Sequence, residues 1–393
     1  MKISKLLIVA ICSILISAGS QADNNPVFVG LDAEFGHKTS TSAQAIEQGM
    51  TIAIDEINAR GGVLGGRPLA LVKRDNRSLP ARARQNIREL ADIKDLVAIF
   101  TGKFSPVVLD ILPLIHERQI PLLDPWAAAD GIIDNGYSPN FAFRLSLRDS
   151  WAIPRMVEHV RKRGMRRIGM MVPKNGWGRS SVRAMEHVIS QSKKNSVILS
   201  GIRWHFWGVS TLVEQYQELT EAGAEAIIFV ANEPEAAILL REIAALPKNS
   251  RVPVISHWGV SGGDLTGLAG DVLFEADFSV IQTFTFANNE STMAHRVATK
   301  ARKKFNLSSA ADIKSQVGFA HGYDLLHILA MAIEKAQTTD RLAIRNALEQ
   351  TGPYEGLVRK YERPFAPDRH EALSPEILFI GRYSKAGDIH RIE

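Results

Sequence analysis

The chain has 393 residues, 45% of them hydrophobic and 23% charged, with 29 glycines and 17 prolines. These values are those of soluble globular proteins and exclude a disordered, collagen-like or coiled-coil chain, and the length predicts two domains, each with its own core. The net charge of +5 is slight and evenly spread, which argues against nucleic acid as a partner: Arg161, Lys162 and Arg163 are parted from Arg166 and Arg167 by Gly164 and Met165 and read as a basic helix end.

The N-terminus reads as a secretory signal peptide over 1–22. Lys2 and Lys5 precede an apolar run from Leu6 to Ala18, and Ser20, Gln21 and Ala22 supply small residues for cleavage. The run is too short to span a bilayer. Cys12 is the only cysteine and lies inside it; as a lipid acceptor it would need a small residue where Ile11 stands. The mature chain is therefore expected to lack disulfide and thiolate chemistry and to act beyond the inner membrane. There, ATP and NAD are scarce, so no cofactor is expected.

Val27 to Gly30 reads as a short buried strand. A helix follows over Ser42 to Arg60, with Ile46, Met50, Ala53, Ile54 and Ile57 on one face and Gly61 and Gly62 as its stop. Leu69 to Lys73 is a strand, Ala81 to Ile93 a helix, and Leu96 to Thr101 a continuous apolar strand. Pro106 opens a helix bearing Val108, Ile111, Leu112 and Ile115, and Ile120 to Leu123 is the next strand. The alternation pauses at Phe143 to Ser150. It restarts with strands at Arg167 to Val172, Val197 to Arg203, Ala226 to Val230 and Val252 to Ser256, separated by helices near 178–191, 210–222 and 234–246. A long helix over Gln316 to Ala336 carries Phe319, Leu325, Leu326, Leu329 and Ile333 on one face, and the tail from Tyr354 holds short strands. This spacing predicts right-handed βαβ units, hence two α/β lobes, each with a parallel sheet. Periodicity leaves open whether the chain crosses between them once or three times.

Several letter patterns suggest chemistry. Gly30 to Thr39 superficially resembles a phosphate loop, but five residues part Gly30 from Gly36, and His37 stands before Lys38, so a strand-to-helix loop fits better. Gly259, Ser261 and Gly263 spell the G-x-S-x-G elbow of serine hydrolases. The predicted strand ends too early for an elbow, although His295, His321, His327 and His370 leave candidate bases. The 11 histidines show no metal-ligand spacing, and no metal is expected. Asp32, Glu34 and Asp124 follow strands and read either as an acid pair or as helix caps and salt-bridge partners.

The tryptophans are more informative. Trp126, Trp177 and Trp258 each follow a predicted strand, as does Phe104, at the sheet edge where open α/β folds bind ligands. Each indole buries ~150–250 Å², a gross ~4–6 kcal/mol at ~25 cal/mol/Å² before ordering costs. An aromatic-lined cleft for a flat apolar or cationic ligand is one reading; separate packing of each loop on its own lobe is the other.

Over the mature sequence the chain resembles the leucine/isoleucine/valine-binding family of periplasmic receptors for ABC importers. The resemblance is carried by Gln48–Gly62 (QGMTIAIDEINARGG), Ala98–Ser105 (AIFTGKFS), Ile120–Leu122, Phe143 and Arg144 through Asp149, Gly176–Gly178, and Gly322–Asp324. It implies a type I periplasmic binding fold: two Rossmann-like lobes with parallel central sheets and a three-crossing hinge near 144–148, 279–283 and 352–356. Lobe 1 would take 26–145 and 283–351, and lobe 2 would take 146–282 and 352–393. The implied ligand contacts are Phe104, Ser105, Trp126, Ala127, Ala128, Asp149, Trp177, Glu233 and Trp258. Ser105 matches the serine that holds the ligand carboxylate in that family, with backbone amides of the loop Pro125–Ala128, where Ala128 replaces a threonine. Trp177 fills the place of the aromatic residue that closes over the ligand. Trp258 stands where amino-acid binders carry the glutamate that accepts the ammonium group, and tryptophan has no acceptor for it. That departure counts against an α-amino acid, leaving Glu233 or Asp32 as substitute acceptors. A branched-chain or other hydrophobic amino acid is the family default; an aromatic acid, amide or organic amine is what the tryptophans favour. The implied protein is a non-enzymatic, periplasmic monomer with a small-molecule ligand. It has either an ABC permease or, in the alternative, a membrane sensor as partner.

Overall fold

The computed structural model describes residues 25–192 and 196–393; the expected signal peptide lies outside them. The first sheet is built from β1 (Val27–Ala33), β2 (Leu69–Asp75), β3 (Leu96–Thr101), β4 (Leu122–Asp124) and β5 (Ala142–Arg144) in the order β2-β1-β3-β4-β5. Every pairing in it is parallel. Both faces of such a sheet are covered, which is why Leu96–Thr101 is buried throughout.

The helices Ser42–Ala59 and Gln316–Ala336 share one core with the inward residues of β1. They approach backbone to backbone. A methyl group on Gly49 would lie 1.9 Å from the carbonyl oxygen of Phe319, and one on Gly322 would lie 2.9 Å from that of Ile46. The glycines of both sequence motifs thus set a helix separation that no side chain permits.

The second sheet contains β6 (Arg167–Pro173), β7 (Ile198–His205), β8 (Ala226–Phe229), β9 (Val254–Ser256) and β10 (Phe278–Gln282). After the hairpin β11 (Tyr354–Glu355) and β12 (Lys360–Tyr361), the tail adds β13 (Phe379–Tyr383) and β14 (Ile389–Arg391), giving the order β14-β13-β10-β9-β8-β6-β7. From β7 to β10 the pairing is parallel, whereas β13 and β14 are antiparallel additions at one edge. The sheet is parallel-dominated, so the expectation of a purely parallel second sheet is refined. The antiparallel strands enter from the tail, where no crossover helix precedes them.

After β5 the chain enters the second sheet. It leaves after β10 for the helices Thr292–Phe305 and Gln316–Ala336, then returns through the β11–β12 hairpin. Asp324 pins that return: its carboxylate accepts from the amides of Leu357 (2.6 Å) and Val358 (2.9 Å) and from the Tyr361 hydroxyl (2.8 Å). Burial pushes the Asp324 carboxyl up to about 7, with those four donors, Tyr354 included, opposing the shift. Among the described residues no helix is long and apolar enough to cross a membrane.

The helix contact yields a direct test. Gly49→Ala is expected to cost ~1–3 kcal/mol, because the backbone of Phe319 must move away. Denaturant unfolding with an unchanged midpoint would contradict the close approach.

Candidate functional site

Parallel strands end on one edge of their sheet, so the turns after them gather there. From the first sheet come the turn after β3 (Gly102–Ser105) and the loop after β4 (Pro125–Ala129). From the second come Asn175–Gly178, Asn232 and Glu233, and His257–Gly263.

The loop Pro125–Ala129 is held from several sides. Asp124 Oδ1 accepts from the amides of Trp126 (2.9 Å) and Ala127 (2.7 Å). Ser105 Oγ accepts from the amides of Ala128 (3.1 Å) and Ala129 (3.2 Å). Arg144, fully buried, donates to the carbonyls of Ala127 (3.1 Å) and Ala129 (2.9 Å) while paired with Glu371. The amide of Asp149 donates to Ala128 O at 3.0 Å. Burial pushes the Asp124 carboxyl up to about 7 against the pull of Arg144 and the loop amides.

Trp126 and Trp258 meet with ring centroids 5.3 Å apart and tilted by 42°. Both are buried, and the Trp126 indole lies over Gly318, where a methyl group would come within 2.7 Å. Trp177 stands at the start of the helix Gly176–Gln191, whose first turn is capped by Asn175 Oδ1 accepting from the Trp177 and Gly178 amides. Its indole N–H donates to Asp149 Oδ1 at 3.2 Å, and its ring meets His257 edge-on at 5.1 Å. His257 Nδ1 accepts from the Trp258 amide, so the proton of the neutral ring sits on Nε2. That atom lies 3.1 Å from Asp149 Oδ1 without the alignment of a hydrogen bond. Asp149 Oδ2 is buried and unpartnered.

A third group lies beside these. Lys103 Nζ donates to Glu233 Oε2 at 2.8 Å, and Thr39 Oγ1 donates to Glu233 Oε1 at 3.1 Å. Phe104 packs between His37 (5.7 Å) and Trp207 (5.0 Å).

The sequence-derived residues thus fall into three neighbouring sets: Ser105, Trp126, Ala127 and Ala128 with Trp258; Asp149 with Trp177; and Glu233 with Phe104. Glu233, expected as a substitute ammonium acceptor, is instead engaged by Lys103. Asp32, the other substitute, is tied to Asn76 (3.0 Å) and Asn86 (2.7 Å), and burial raises its carboxyl to about 7. Glu34 accepts from Ser42, so these carboxylates have separate donors rather than a shared proton. Ser261 lies in the short turn Trp258–Gly262, donating to Trp258 O (2.7 Å) and accepting from Gln282 (3.0 Å). Its neighbours are not those of an elbow nucleophile. Among the described residues no group of three or more His, Asp or Glu side chains is placed to hold a metal ion.

Sequence reasoning assigned no role to Lys103 or His257, and His321 entered it only as a candidate base for a hydrolase. Lys103 lay within a quoted motif, two residues before Ser105, but its partner is 130 residues away.

Facing strand ends on two parallel-dominated sheets mark the class as a two-lobed α/β binding-protein fold. The family model described as "Periplasmic binding protein" matches residues 26–387, and the chain belongs to that family. It is 20% identical over 401 residues to the Leu/Ile/Val-binding protein homolog 2 of Brucella abortus (strain 2308), covering 98% of each chain. In structure it resembles a type 1 periplasmic binding protein from Bordetella pertussis Tohama I, with TM-score 0.83, 22% identity and coverage of 94% and 100% of the two chains. It also resembles an ABC-transporter solute-binding protein from R. palustris in complex with 4-hydroxybenzoate, with TM-score 0.76, 15% identity and coverage of 94% and 96%. At these identities the structural likeness is one of fold.

His321 connects the site to the long helix. Its Nδ1–H donates to Pro125 O (2.8 Å), its Nε2 accepts from Thr283 (2.9 Å), and it touches Trp258. Burial lowers its pKa to about 4, partly offset by the Pro125 bond. The stability of this neutral ring is present above the unfolded value, ~6.5, and is lost as pH falls toward 4. His321→Gln, which keeps a donor and an acceptor but does not titrate, is expected to lose up to ~3 kcal/mol less than the parent over that window. Parallel pH–stability curves would contradict the assignment.

Proposed function

We propose that the protein is the extracytoplasmic solute-binding component of an ABC importer. It captures a small molecule between its lobes, performs no covalent chemistry on it, and presents the closed form to a membrane permease. Lobe 1 is taken as 26–145 with 283–351 and lobe 2 as 146–282 with 352–393. The N-terminal sequence, with its basic start and short apolar run, supports export. Family membership and relatives named for leucine, isoleucine and valine or solved with an aromatic acid support the solute-binding role.

The observation that carries the ligand class is the aromatic and polar lining. Trp177 and Trp258 bring large apolar faces to the facing loops, and Asp149 Oδ2, buried without a partner, calls for an O–H or N–H donor. The Ser105 O–H, whose oxygen accepts the Ala128 and Ala129 amides, is left to donate and forms a second, carboxylate-binding end. An aromatic acid or amide with a hydroxyl or amino substituent satisfies both ends better than leucine, for which Trp258 offers no ammonium acceptor.

A thermal-shift screen of the mature chain is expected to show larger stabilisation by hydroxy- and aminobenzoates than by leucine. Titration calorimetry on the best solute should show more than tenfold weaker binding for Trp177→Ala, which loses a stacking wall. Micromolar leucine binding, or an unchanged affinity in Trp177→Ala, would contradict the assignment.

A further inference from the structure

The hydrogen bonds from the loops after β1 and β3 to the Glu233 carboxylate and the Gly262 carbonyl, after β8 and β9, all run in one direction. From the first sheet, the Thr39 hydroxyl, the Ser40 hydroxyl, the Thr41 amide and the Lys103 ammonium all donate. From the second, the Glu233 carboxylate and the Gly262 carbonyl accept. The Gly262 carbonyl receives Thr41 N at 2.9 Å, Ser40 Oγ at 3.1 Å and Lys103 Nζ at 3.3 Å. Ser40 and Gly263 also form an isolated antiparallel bridge, a single rung of sheet between the lobes. The side chains of Lys103 and Glu233 are 1% and 0% exposed.

A buried ion pair favours the closed arrangement only where further hydrogen bonds satisfy the remaining lone pairs and protons. Here that condition is met. One Glu233 oxygen takes Lys103 and the other takes Thr39, while the ammonium has a second acceptor in Gly262 O and lies 5.1 Å from the Phe104 ring centre. Nothing in this set requires a solute. When the lobes part, both charges return to water, so the set acts on the balance between open and closed forms and leaves the fold of either lobe intact.

We propose that Lys103, Glu233 and the Gly262 carbonyl form a closing latch that holds the two lobes together through protein contacts alone and so sets how much of the molecule is closed before any solute enters. The proposal rests on the solute-binding reading, and it concerns regulation of that same cleft. It predicts that the closed fraction responds to residues that meet only across the cleft.

Gly262 supplies a clean probe. Its backbone is outside the left-handed region, and the three nearest atoms to a methyl group there belong to Lys103, the closest at 2.6 Å. Gly262→Ala therefore wedges the latch without removing a charge or straining its own lobe. Glu233→Gln removes the charge partner and leaves Lys103 to be buried alone, which opening relieves.

The test is small-angle scattering of the purified mature protein, its Gly262→Ala and Glu233→Gln variants, with no solute added, alongside thermal unfolding. Both variants are expected to shift the pair-distance distribution to longer distances than the parent. The melting temperature should fall by about 5 °C or less in Glu233→Gln and stay near the parent value in Gly262→Ala. A folded Gly262→Ala protein whose scattering superimposes on that of the parent overturns the latch, as does a Glu233→Gln protein that melts earlier without expanding. Because no solute is present, failure here leaves the solute screen and the Trp177→Ala titration to be judged separately.

Discussion

One buried guanidinium organises the cleft. Arg144 lies at the end of β5, where the chain first leaves the first sheet, and grips Glu371 from the returning tail at 2.5 and 3.0 Å. With its remaining donors it holds the carbonyls of Ala127 and Ala129. Burial works against its charge, yet Glu371 and Asp124 leave its pKa raised, so it is a cation at every accessible pH. A planar fork with five donors serves the loop and the tail at once, which a lysine at this position does not. Removing it would leave Glu371 with only the Arg148 guanidinium at 3.5 Å and would take a donor from each of the Ala127 and Ala129 carbonyls. The loop whose amides hold Ser105, the residue that the solute-binding reading assigns to a ligand carboxylate, therefore depends on a residue that itself need not touch the ligand.

The same economy runs through the hinge. Three segments connect the lobes, and each is tied to a buried polar group: the first to Arg144, the second to His321 through Thr283, and the third to Asp324 through Leu357 and Val358. Such ties keep each lobe rigid up to the point where it bends. On the proposed solute-binding reading, motion is confined to a few backbone torsions there, and closure is a rigid-body movement between discrete arrangements. Trp126 from the loops of the first sheet and Trp258 from those of the second are buried against each other, and hydrogen bonds in such a water-poor setting are strengthened.

Much of this architecture was legible in the sequence, for identifiable physical reasons. Leu96–Thr101 and Ala226–Phe229 are buried on both faces of a parallel sheet and so appear as unbroken apolar runs. The helix Ser42–Ala59 announces itself by its periodicity and its glycine stop. The strand Phe278–Gln282 was missed because Ser279 and Gln282 interrupt its apolar run, although both are buried. Ala142–Arg144 is too short to show a period. The antiparallel pair Phe379–Tyr383 and Ile389–Arg391 has no crossover helix to frame it. At the site, position after a strand correctly flagged Trp126, Trp177 and Trp258 as residues of the strand-end loops. The engagement of Glu233 by Lys103, and the approach of His257 to Asp149, were invisible because pairing between residues far apart in the chain leaves no mark in local spacing.

The account stands on relative motion of two lobes about a fixed hinge, driven by a solute held between them. It is tested most directly by single-molecule energy transfer between dyes on Leu342→Cys and Ile198→Cys, exposed positions on the first and second lobes, in the mature chain as the best solute of the screen is titrated. The account predicts two transfer efficiencies whose populations exchange with solute concentration and saturate with its binding curve. A single efficiency that stays constant through full occupancy would contradict it.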